Sequence, residues 1–125
     1  MTNKEDMEAK KITMTLEFPP SVNHLLFSGR NKRYLSPVAR RYYALAIANK
    51  VPPEMMLQGR LKLHMIIYPP DKRRRDLDNH IKAPIDFLMH SKVFEDDSQI
   101  DELIVVRGPV KKPGSVQVTV EEFIC

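Results

Sequence analysis

A short segment in the second half of the chain places four cationic side chains directly beside two carboxylates. The segment reads Lys72-Arg73-Arg74-Arg75-Asp76-Leu77-Asp78-Asn79, and a further cation, Lys82, follows it. Asp76 would end an extended stretch and Asp78 would lie in the first turn of a helix, so their side chains leave the backbone in different directions. Both carboxylates can therefore converge on one hard divalent cation, which prefers oxygen ligands. Lys and Arg bind the phosphates of nucleic acids. The segment therefore predicts a place where a phosphate backbone and a metal ion meet.

Each of these features also has a simpler explanation. An Asp before a helix is a common N-cap, and acids in the first turn complement the helix dipole. Asp78 and Lys82 are spaced i, i+4, as in an ordinary surface ion pair. Neither explanation accounts for four adjacent cations, which repel one another and gain nothing at a helix N-terminus. The combination favours the nucleic-acid hypothesis.

A second acidic group, Glu95-Asp96-Asp97, follows the predicted helix after one loop. By itself it is typical of a polar surface loop. If strand, helix and strand fold back on one another, however, the start of the next strand approaches Asp76. Asp97 then becomes the candidate third carboxylate for the metal, with its neighbour Asp96 as the open alternative.

The acidic residues are unevenly distributed in a chain that is basic overall. The 125 residues carry a net charge of +4, yet 8 of the 16 acids lie between Asp76 and Glu102. The composition excludes other classes: there is no apolar run long enough to span a membrane, no secretory leader, and a single cysteine, Cys125. No zinc motif and no glycine-rich nucleotide-binding loop is present. We expect a cytoplasmic protein without a nucleotide cofactor.

Hydrophobic periodicity and turn residues predict one α+β domain in the order β-α-β-α-β-β, with a mixed sheet packed against two main helices. Residues 1–10 are expected to be flexible, and 11–125 to form the domain. A polar, basic loop is expected through residues 30–33. The predicted strands cover 12–18, 57–68, 100–106 and 115–123, and the predicted helices cover 36–49 and 76–89. Asp76 or Asp78 would cap the second helix, and Pro84 would kink it because it lacks an N–H.

The ordered set of residues around Asp76 resembles the RusA family of Holliday junction resolvases. An early Phe18-Pro19-Pro20-Ser21-x-Asn23 stretch resembles the family's N-terminal strand and turn. The resemblance covers nearly the whole chain. The matching positions are Arg74, Arg75, Asp76, Leu77, Asp78, Asn79, Lys82, Asp86, Asp96, Asp97 and Gln99.

The resemblance implies a RusA-like fold and a homodimeric, Mg²⁺-dependent endonuclease, with Mn²⁺ as a substitute metal, that resolves four-way DNA junctions by paired symmetric nicks. The cut would leave 5′-phosphate and 3′-hydroxyl ends. The enzyme would act in DNA recombination and repair in a bacterium or bacteriophage. It implies that Asp76, Asp78 and Asp97 bind the metal and that Lys82 is the essential lysine. It implies DNA contacts for a further set: Lys72, Arg73, Arg74, Arg75 and Asn79.

Two other functions are compatible with the sequence. A nuclease of the same family could act on other branched DNA, which cleavage of junctions, forks and linear duplexes would distinguish. A non-catalytic DNA-binding or regulatory module predicts salt-sensitive binding without a metal requirement, and it leaves the aspartate cluster without a purpose. Further cations, from Arg30 to Lys62, are candidates for a wider phosphate-binding surface.

Overall fold

The computed structural model describes residues 10–22, 26–29 and 32–123, with backbone alone for 26–29 and 32–34. The expected flexibility of residues 1–10 therefore falls almost entirely outside the described part, as do Asn23, Arg30 and Asn31. The elements in chain order are β1 (Lys11–Glu17), β2 (Leu26–Gly29), β3 (Lys32–Leu35), α1 (Pro37–Ala48), β4 (Leu61–Tyr68), α2 (Lys82–His90), β5 (Ile100–Arg107) and β6 (Ser115–Glu122).

Four strands form one mixed sheet in the order β1-β6-β4-β5. β6 pairs antiparallel with both β1 and β4, whereas β4 and β5 run parallel. Parallel strands need a crossover, and α2 lies in the connection between them. The predicted α+β class with two main helices is thus confirmed.

The structure differs from the predicted strands at two places in the first half of the chain. The segment predicted as a basic loop contains the antiparallel pair β2–β3. Its four-residue strands are too short to show an alternating pattern. β4 begins at Leu61 rather than at residue 57, and Gly59, with φ +72°, lies just before it. That backbone conformation is one that glycine adopts readily and that ends an extended run.

The core lies between one face of the sheet and the helices. Leu63 and Met65 of β4 sit opposite Val120 and Val118 of β6, and all four side chains are almost completely buried. In α1, Ser36 accepts a hydrogen bond from the Ala39 N–H at 3.1 Å, which confirms the predicted N-cap. The helix buries a stripe at i, i+3, i+4 and i+7: Ala39, Tyr42, Tyr43 and Ala46. Within the described residues, neither helix is long and apolar enough to cross a membrane.

The second helix begins later than predicted. A 3₁₀ turn covers Leu77–His80, and α2 starts at Lys82 with Ile81 as its N-cap. Pro84 is therefore the third residue of α2, where an N–H has no intrahelical acceptor to lose. The predicted kink is wrong because the α-helix is too short upstream of Pro84 to be interrupted.

The buried face of α2 agrees only in part with the apolar stripe that the spacing of Ile81, Ile85, Leu88 and Met89 predicts. Leu88 is fully buried, whereas the other three are only partly buried, and Ala83 and Phe87 are packed in the core beside Leu88. Phe87 packs against Tyr42 of α1 with ring centroids 5.1 Å apart. Ile81 and Ile85 are consequently free to line a surface cavity described below.

We expect the β4 core position Leu63 to dominate stability because its side chain has no exposed surface. Leu63→Ala should lower the free energy of unfolding by about 2–5 kcal/mol, through lost burial and the remaining cavity. Urea denaturation measures this change. Ile47→Ala on α1, where the side chain is 53% exposed, is the control and should stay within about 0.5 kcal/mol of wild type. Equal losses in the two variants would contradict this core assignment.

Candidate active site

The cationic segment forms a tight loop after β4. Pro69 and Pro70 follow the strand, and Asp71 then starts a turn that ends at Asp76, whose backbone is extended. The extended backbone of Asp76 agrees with the prediction, whereas Asp78 lies in a 3₁₀ turn and not in the first turn of an α-helix. The exposed side chains of Lys72, Arg73 and Arg74 lie on the outside of this loop.

Asp71 organises the loop, a role that the sequence analysis missed. Its carboxylate accepts a hydrogen bond from the Arg73 N–H at 2.9 Å and another from Arg75 Nη1 at 2.7 Å. The Arg75 bond, followed by the Arg73 amide, lowers the pKa of Asp71 to about 2. An Asp whose side chain bonds the backbone two residues ahead is a recognisable turn signal. Asp-x-Arg at the strand exit was the available sequence clue.

Arg75 is held inside the loop while Arg73 points outward. The Arg75 side chain is only 18% exposed, and its guanidinium lies 5.4 Å from the centre of the Phe18 ring. The Arg73 side chain is 83% exposed. Asp71 thus pairs with both arginines, at 2.7 Å from Arg75 Nη1 and at 3.7 Å from Arg73 Nε, but only Arg75 is enclosed by the loop and Arg73 keeps most of its side chain in solvent.

Behind the loop, Phe18 and His80 stack and close one side of a cavity. Their ring centroids are 5.0 Å apart, and His80 Nδ1 lies 3.3 Å from the Asp76 carbonyl oxygen. Burial lowers the pKa of His80, and the charges of Arg75 and Arg107 act in the same direction, so the ring stays neutral at neutral pH. Gly114 allows this packing because a Cβ there would lie 3.0 Å from both Phe18 Cβ and Pro70 Cδ.

The resulting arginine cavity has a volume of about 650 Å³. It brings together three predicted DNA-binding arginines, the predicted DNA-binding Asn79 and the predicted metal ligand Asp76. The lining residues are Phe18, Pro19, Ser21, Arg73, Arg74, Arg75, Asp76, Asn79 and His80. Lys72 is exposed on the same loop but does not line this cavity.

Neither Asp76 nor Asp78 caps a helix, contrary to the expectation. Asp76 occupies the N-cap position of the 3₁₀ turn without a side-chain cap bond, and α2 has no side-chain cap either. Among the described residues, no hydrogen bond or ion pair engages either carboxylate. These two charges are thus available for a ligand rather than used in local structure.

A second, smaller cavity of about 350 Å³ lies along α2 and collects the other predicted catalytic residues. This carboxylate cavity is lined by Asp78, Ile81, Lys82, Ile85, Asp86 and Asp97. The two isoleucines supply the apolar part of the lining, while Asp78, Lys82 and Asp97 remain exposed to solvent.

Lys82 pairs with Asp86 rather than with Asp78. Its Nζ lies 3.5 Å from Asp86 Oδ2, one helical turn ahead, and the Lys82 side chain remains 62% exposed. Asp86 also accepts a hydrogen bond from the Tyr43 hydroxyl at 3.2 Å. Burial, and next the charge of Asp86, raises the pKa of Tyr43 and keeps that hydroxyl protonated. Asp86 thereby ties the lysine to α1.

The structure separates the neighbouring Asp96 and Asp97. Asp96 accepts a hydrogen bond from the Ser98 N–H at 3.0 Å, and this bonding to Ser98 lowers the pKa of Asp96. The Asp96 backbone N–H in turn donates to Gln99 Oε1, which completes a capping box. Asp97 borders the carboxylate cavity and has no such bond among the described residues. Of the two alternatives, Asp97 is the one whose carboxylate is free at the cavity.

The three predicted metal ligands do not form one cluster within the chain. In the described ranges, no three His, Cys, Asp or Glu side chains are close enough together to hold a metal ion. The parallel register explains this: Ile100 lies beside Leu61 at the start of β4, whereas the loop carrying Asp76 leaves the other end of that strand. Asp78 and Asp97 share a cavity, and Asp76 borders the other one.

The donor chemistry of the carboxylate cavity nevertheless suits a hydrated Mg²⁺. Mg²⁺ is commonly held by one or two carboxylates, with water and substrate phosphate oxygens completing its shell. Asp78 and Asp97 supply that number of carboxylates. The residues of this chain therefore fit a two-carboxylate site, and they do not fit a closed three-carboxylate cage.

Several other candidate cations have partners within the chain. Arg41 pairs with Glu17, Arg60 with Asp101, and Lys62 lies 4.8 Å from the centre of the Phe123 ring. The side chains of Arg30, Lys32 and Arg33 fall outside the described part. Arg107, which the sequence analysis did not single out, donates to the Arg75 carbonyl oxygen at 2.8 Å and ties β5 to the cationic loop.

We expect Asp71→Ala to loosen the cationic loop without unfolding the domain. Loss of the carboxylate removes the acceptor of the Arg73 amide, so that amide should exchange with solvent on the order of tenfold faster. Amide hydrogen exchange followed by NMR measures the effect. Asp96→Ala is the matched control, because Asp96 bonds the amide of Ser98 in the same way; it should speed exchange at Ser98 and leave Arg73 unchanged. Unchanged Arg73 exchange in Asp71→Ala would show that Asp71 does not hold the loop.

Comparisons with known proteins identify the family of the chain. Residues 17–121 match the family model for endodeoxyribonuclease RusA. The chain is 37% identical over 101 residues to the crossover junction endodeoxyribonuclease RusA of Enterobacteria phage HK97, covering 79% of this chain and 83% of that protein. It is 33% identical over 114 residues to the enzyme of that name from Escherichia coli strain K12, covering 89% and 94%. A similar relative occurs in Shigella sonnei, with 32% identity over 113 residues and coverage of 89% and 94%. The chain belongs to the RusA family of endodeoxyribonucleases.

Proposed function

We propose that this protein is an Mg²⁺-dependent endodeoxyribonuclease that resolves four-way DNA junctions by paired symmetric nicks, in DNA recombination and repair. The observation that carries the proposal is the carboxylate cavity, where Asp78, Asp97 and Lys82 meet beside the arginine cavity. The names of the relatives support the junction as substrate. Their bacterial and phage sources support action in the bacterial cytoplasm.

The cationic loop would bind the DNA backbone next to the cut. Arg73, Arg74 and Lys72 are exposed and suited to phosphates, whereas Arg75 keeps the loop in shape through Asp71. Phosphate contacts position a duplex without reading its sequence. Asn79, which lines the same cavity, has an amide that can donate to a phosphate or sugar oxygen. This division lets the loop hold branched DNA while its own structure stays fixed.

Asp78 and Asp97 would hold the metal, and Asp76 would be a third, additional ligand whose carboxylate lies in the neighbouring arginine cavity. Mg²⁺ held there, or Mn²⁺ in its place, would supply a water of lowered pKa and would stabilise negative charge on the phosphate oxygens. Attack of water on the phosphorus would break its bond to the 3′ oxygen, which takes up a proton, and would leave 5′-phosphate and 3′-hydroxyl ends. The residues of the chain contribute position and fixed charge to this step.

Lys82 would neutralise charge on the scissile phosphate. Its ammonium group is held by Asp86 at 3.5 Å and remains exposed toward the cavity. A positive charge in that place favours the transition state, in which negative charge on the phosphate oxygens is redistributed. The alternative role, orienting the attacking water, needs a specific donor geometry rather than charge alone.

Two nicks placed symmetrically across a junction require two sites. A homodimer provides them through one two-fold axis, because each copy repeats the same cavity. We therefore propose that the active form is a homodimer bound to a branched DNA.

Asp76→Asn, Asp78→Asn and Asp97→Asn should each reduce cleavage on the order of a hundredfold or more, because each removes a negatively charged ligand of the proposed metal ion. Binding of the junction should be retained or strengthened, since a negative charge near DNA is lost. Cleavage is measured on an end-labelled synthetic four-way junction with Mg²⁺ and with EDTA, and binding by gel shift in EDTA.

Asp96→Asn is the matched control, because an Asn oxygen can still accept the Ser98 amide while the charge beside Asp97 disappears. It should cleave within a few-fold of wild type. Full activity in the other three variants, or in EDTA, would refute the metal assignment. Binding of the junction by the wild-type protein without any cleavage in Mg²⁺ would instead favour a DNA-binding module. Equal cutting of junctions, forks and linear duplexes would instead refute junction selectivity.

Substitutions of Lys82 separate charge from specific geometry. If charge acts, Lys82→Arg should keep activity within about tenfold of wild type, while Lys82→Gln should lose on the order of a hundredfold. Single-turnover cleavage rates on a saturated junction measure the chemical step. An arginine variant as inactive as the glutamine variant would overturn the charge role and favour orientation of water by the lysine.

A further inference from the structure

The lining of the arginine cavity changes from buried rings to exposed cations. His80 and Pro19 are buried and Phe18 is half-buried, whereas Arg73 and Arg74 border the same space with exposed side chains. A surface that bound only the phosphates of a duplex would need the cations and no apolar interior. The buried part of this cavity therefore has no role in phosphate binding.

The aromatic part of the cavity is held in place by contacts within the chain. The Phe18 and His80 ring centroids are 5.0 Å apart, with 43° between the ring planes. Pro70 and the backbone at Gly114 pack against Phe18. His80 Nδ1 lies 3.3 Å from the Asp76 carbonyl oxygen, which can only accept, so the histidine donates there and the ring is fixed. A ring pair that is already in position binds a flat group at a lower entropic cost than mobile side chains do.

The size and the lining of the cavity suit a nucleobase. Its volume of about 650 Å³ is within the range of sites that hold small organic molecules. Proteins stack unpaired bases on aromatic rings and on guanidinium planes; here Phe18 supplies the ring, and the Arg75 guanidinium lies 5.4 Å from its centre. Asn79 is half-buried in the same lining, and no hydrogen bond from a described residue engages its side-chain amide. That amide can both donate and accept, as the edge of a base requires.

A branched DNA can supply such a base at low cost. Taking a base out of a continuous duplex breaks its pairing and its stacking, and the cost is least for a base that is already unpaired or poorly paired. Stacking is interrupted where the arms of a branch meet, so a base beside the branch point leaves its stack more easily. Because Asp76 borders this cavity and is also a proposed metal ligand, the base would belong to a nucleotide next to the phosphate that is cut.

We propose that the arginine cavity holds an unstacked nucleobase of the branched DNA, beside the phosphate that is cut. The base packs on Phe18, Asn79 bonds its edge, and the neighbouring phosphates lie against the exposed arginines. The choice of branched DNA as the ligand rests on the proposed function. The cavity itself is assigned as a base site from its buried rings, its exposed cations and the amide of Asn79. Selectivity for a branch then comes in part from the low cost of releasing this base.

The fluorescence of 2-aminopurine tests for the unstacked base with the wild-type protein. The probe replaces, one at a time, each nucleotide around the branch point of a synthetic four-way junction, and the protein is added in EDTA so that no strand is cut. Emission should rise several-fold on binding at one position, because neighbouring bases quench the probe only while it is stacked on them. The same sequence in a linear duplex should show no comparable rise. A bound junction without a rise at any position would overturn the base site.

Phe18→Leu tests the contact between the ring and the base, because it removes the aromatic face and keeps an apolar side chain. It should weaken binding of the junction in EDTA on the order of tenfold, as expected for the loss of one stacked base. When the nucleotide that gave the fluorescence rise is replaced by an abasic one, wild type and Phe18→Leu should bind equally, since neither can make the contact. A tenfold difference that persists on the abasic junction would overturn the contact.

Phe123→Leu is the matched control. Phe123 is also half-buried and contacts a cation, with Lys62 Nζ 4.8 Å from its ring centre, but it does not line the cavity. This variant should bind the intact and the abasic junction as the wild type does, and urea denaturation checks that both variants are folded. Equal losses in Phe123→Leu and Phe18→Leu would overturn the base contact. If Phe18→Leu does not fold, the fluorescence of the wild-type complex still decides.

The failure of this inference is distinct from failure of the nuclease proposal, because every measurement of the base site is made without cleavage. A junction that is cut in Mg²⁺ but shows no unstacked base when bound overturns the base site alone. A junction that is bound with an unstacked base and is never cut supports the base site and refutes the nuclease.

Discussion

The parallel pairing of β4 with β5 is the constraint on which the rest of this structure depends. Two parallel neighbours require a connection that returns along the length of the strand, and here that connection contains the cationic loop, the 3₁₀ turn and α2. Because the register sets Ile100 beside Leu61, the acidic turn before β5 lies near the start of β4. The cationic loop lies near its end. The candidate site is therefore spread along α2 between these two points.

This spread explains why the chain has two cavities with different chemistry. Near the end of β4, Asp71, Phe18 and Arg107 fix the loop, and Arg75 is used as support. Arg73 is left exposed beside Asp76. Along α2, Asp86 holds Lys82 next to free carboxylates. In both places, a charged side chain that is bonded within the chain holds a second charged side chain in position. The second side chain stays exposed and can contact a ligand.

Much of this site could be predicted from local sequence. Ser36 capped α1 as expected, because an N-cap depends on atoms within one turn. The strands with strict alternation, such as β6, were also correct. The prediction of the second helix was less accurate. Pro84 was interpreted as an interruption, because the sequence did not reveal that Leu77–His80 forms a 3₁₀ turn and that α2 begins only at Lys82. The short strands β2 and β3 were missed because they have no pattern of their own and depend on pairing with each other.

The sequence by itself determined which chemical groups are present, their order, and the family resemblance that the comparisons confirmed. Those properties depend on residue types and spacing, which a linear pattern records. Only the tertiary structure decided which carboxylates share a cavity, because the distance from Asp76 to Asp97 is set by strand direction and register. It also decided that Asp97 rather than Asp96 is free, and that Arg75 is a support. Each of these outcomes depends on contacts between residues that are not in the same local element, or on hydrogen bonds that compete for the same side chain.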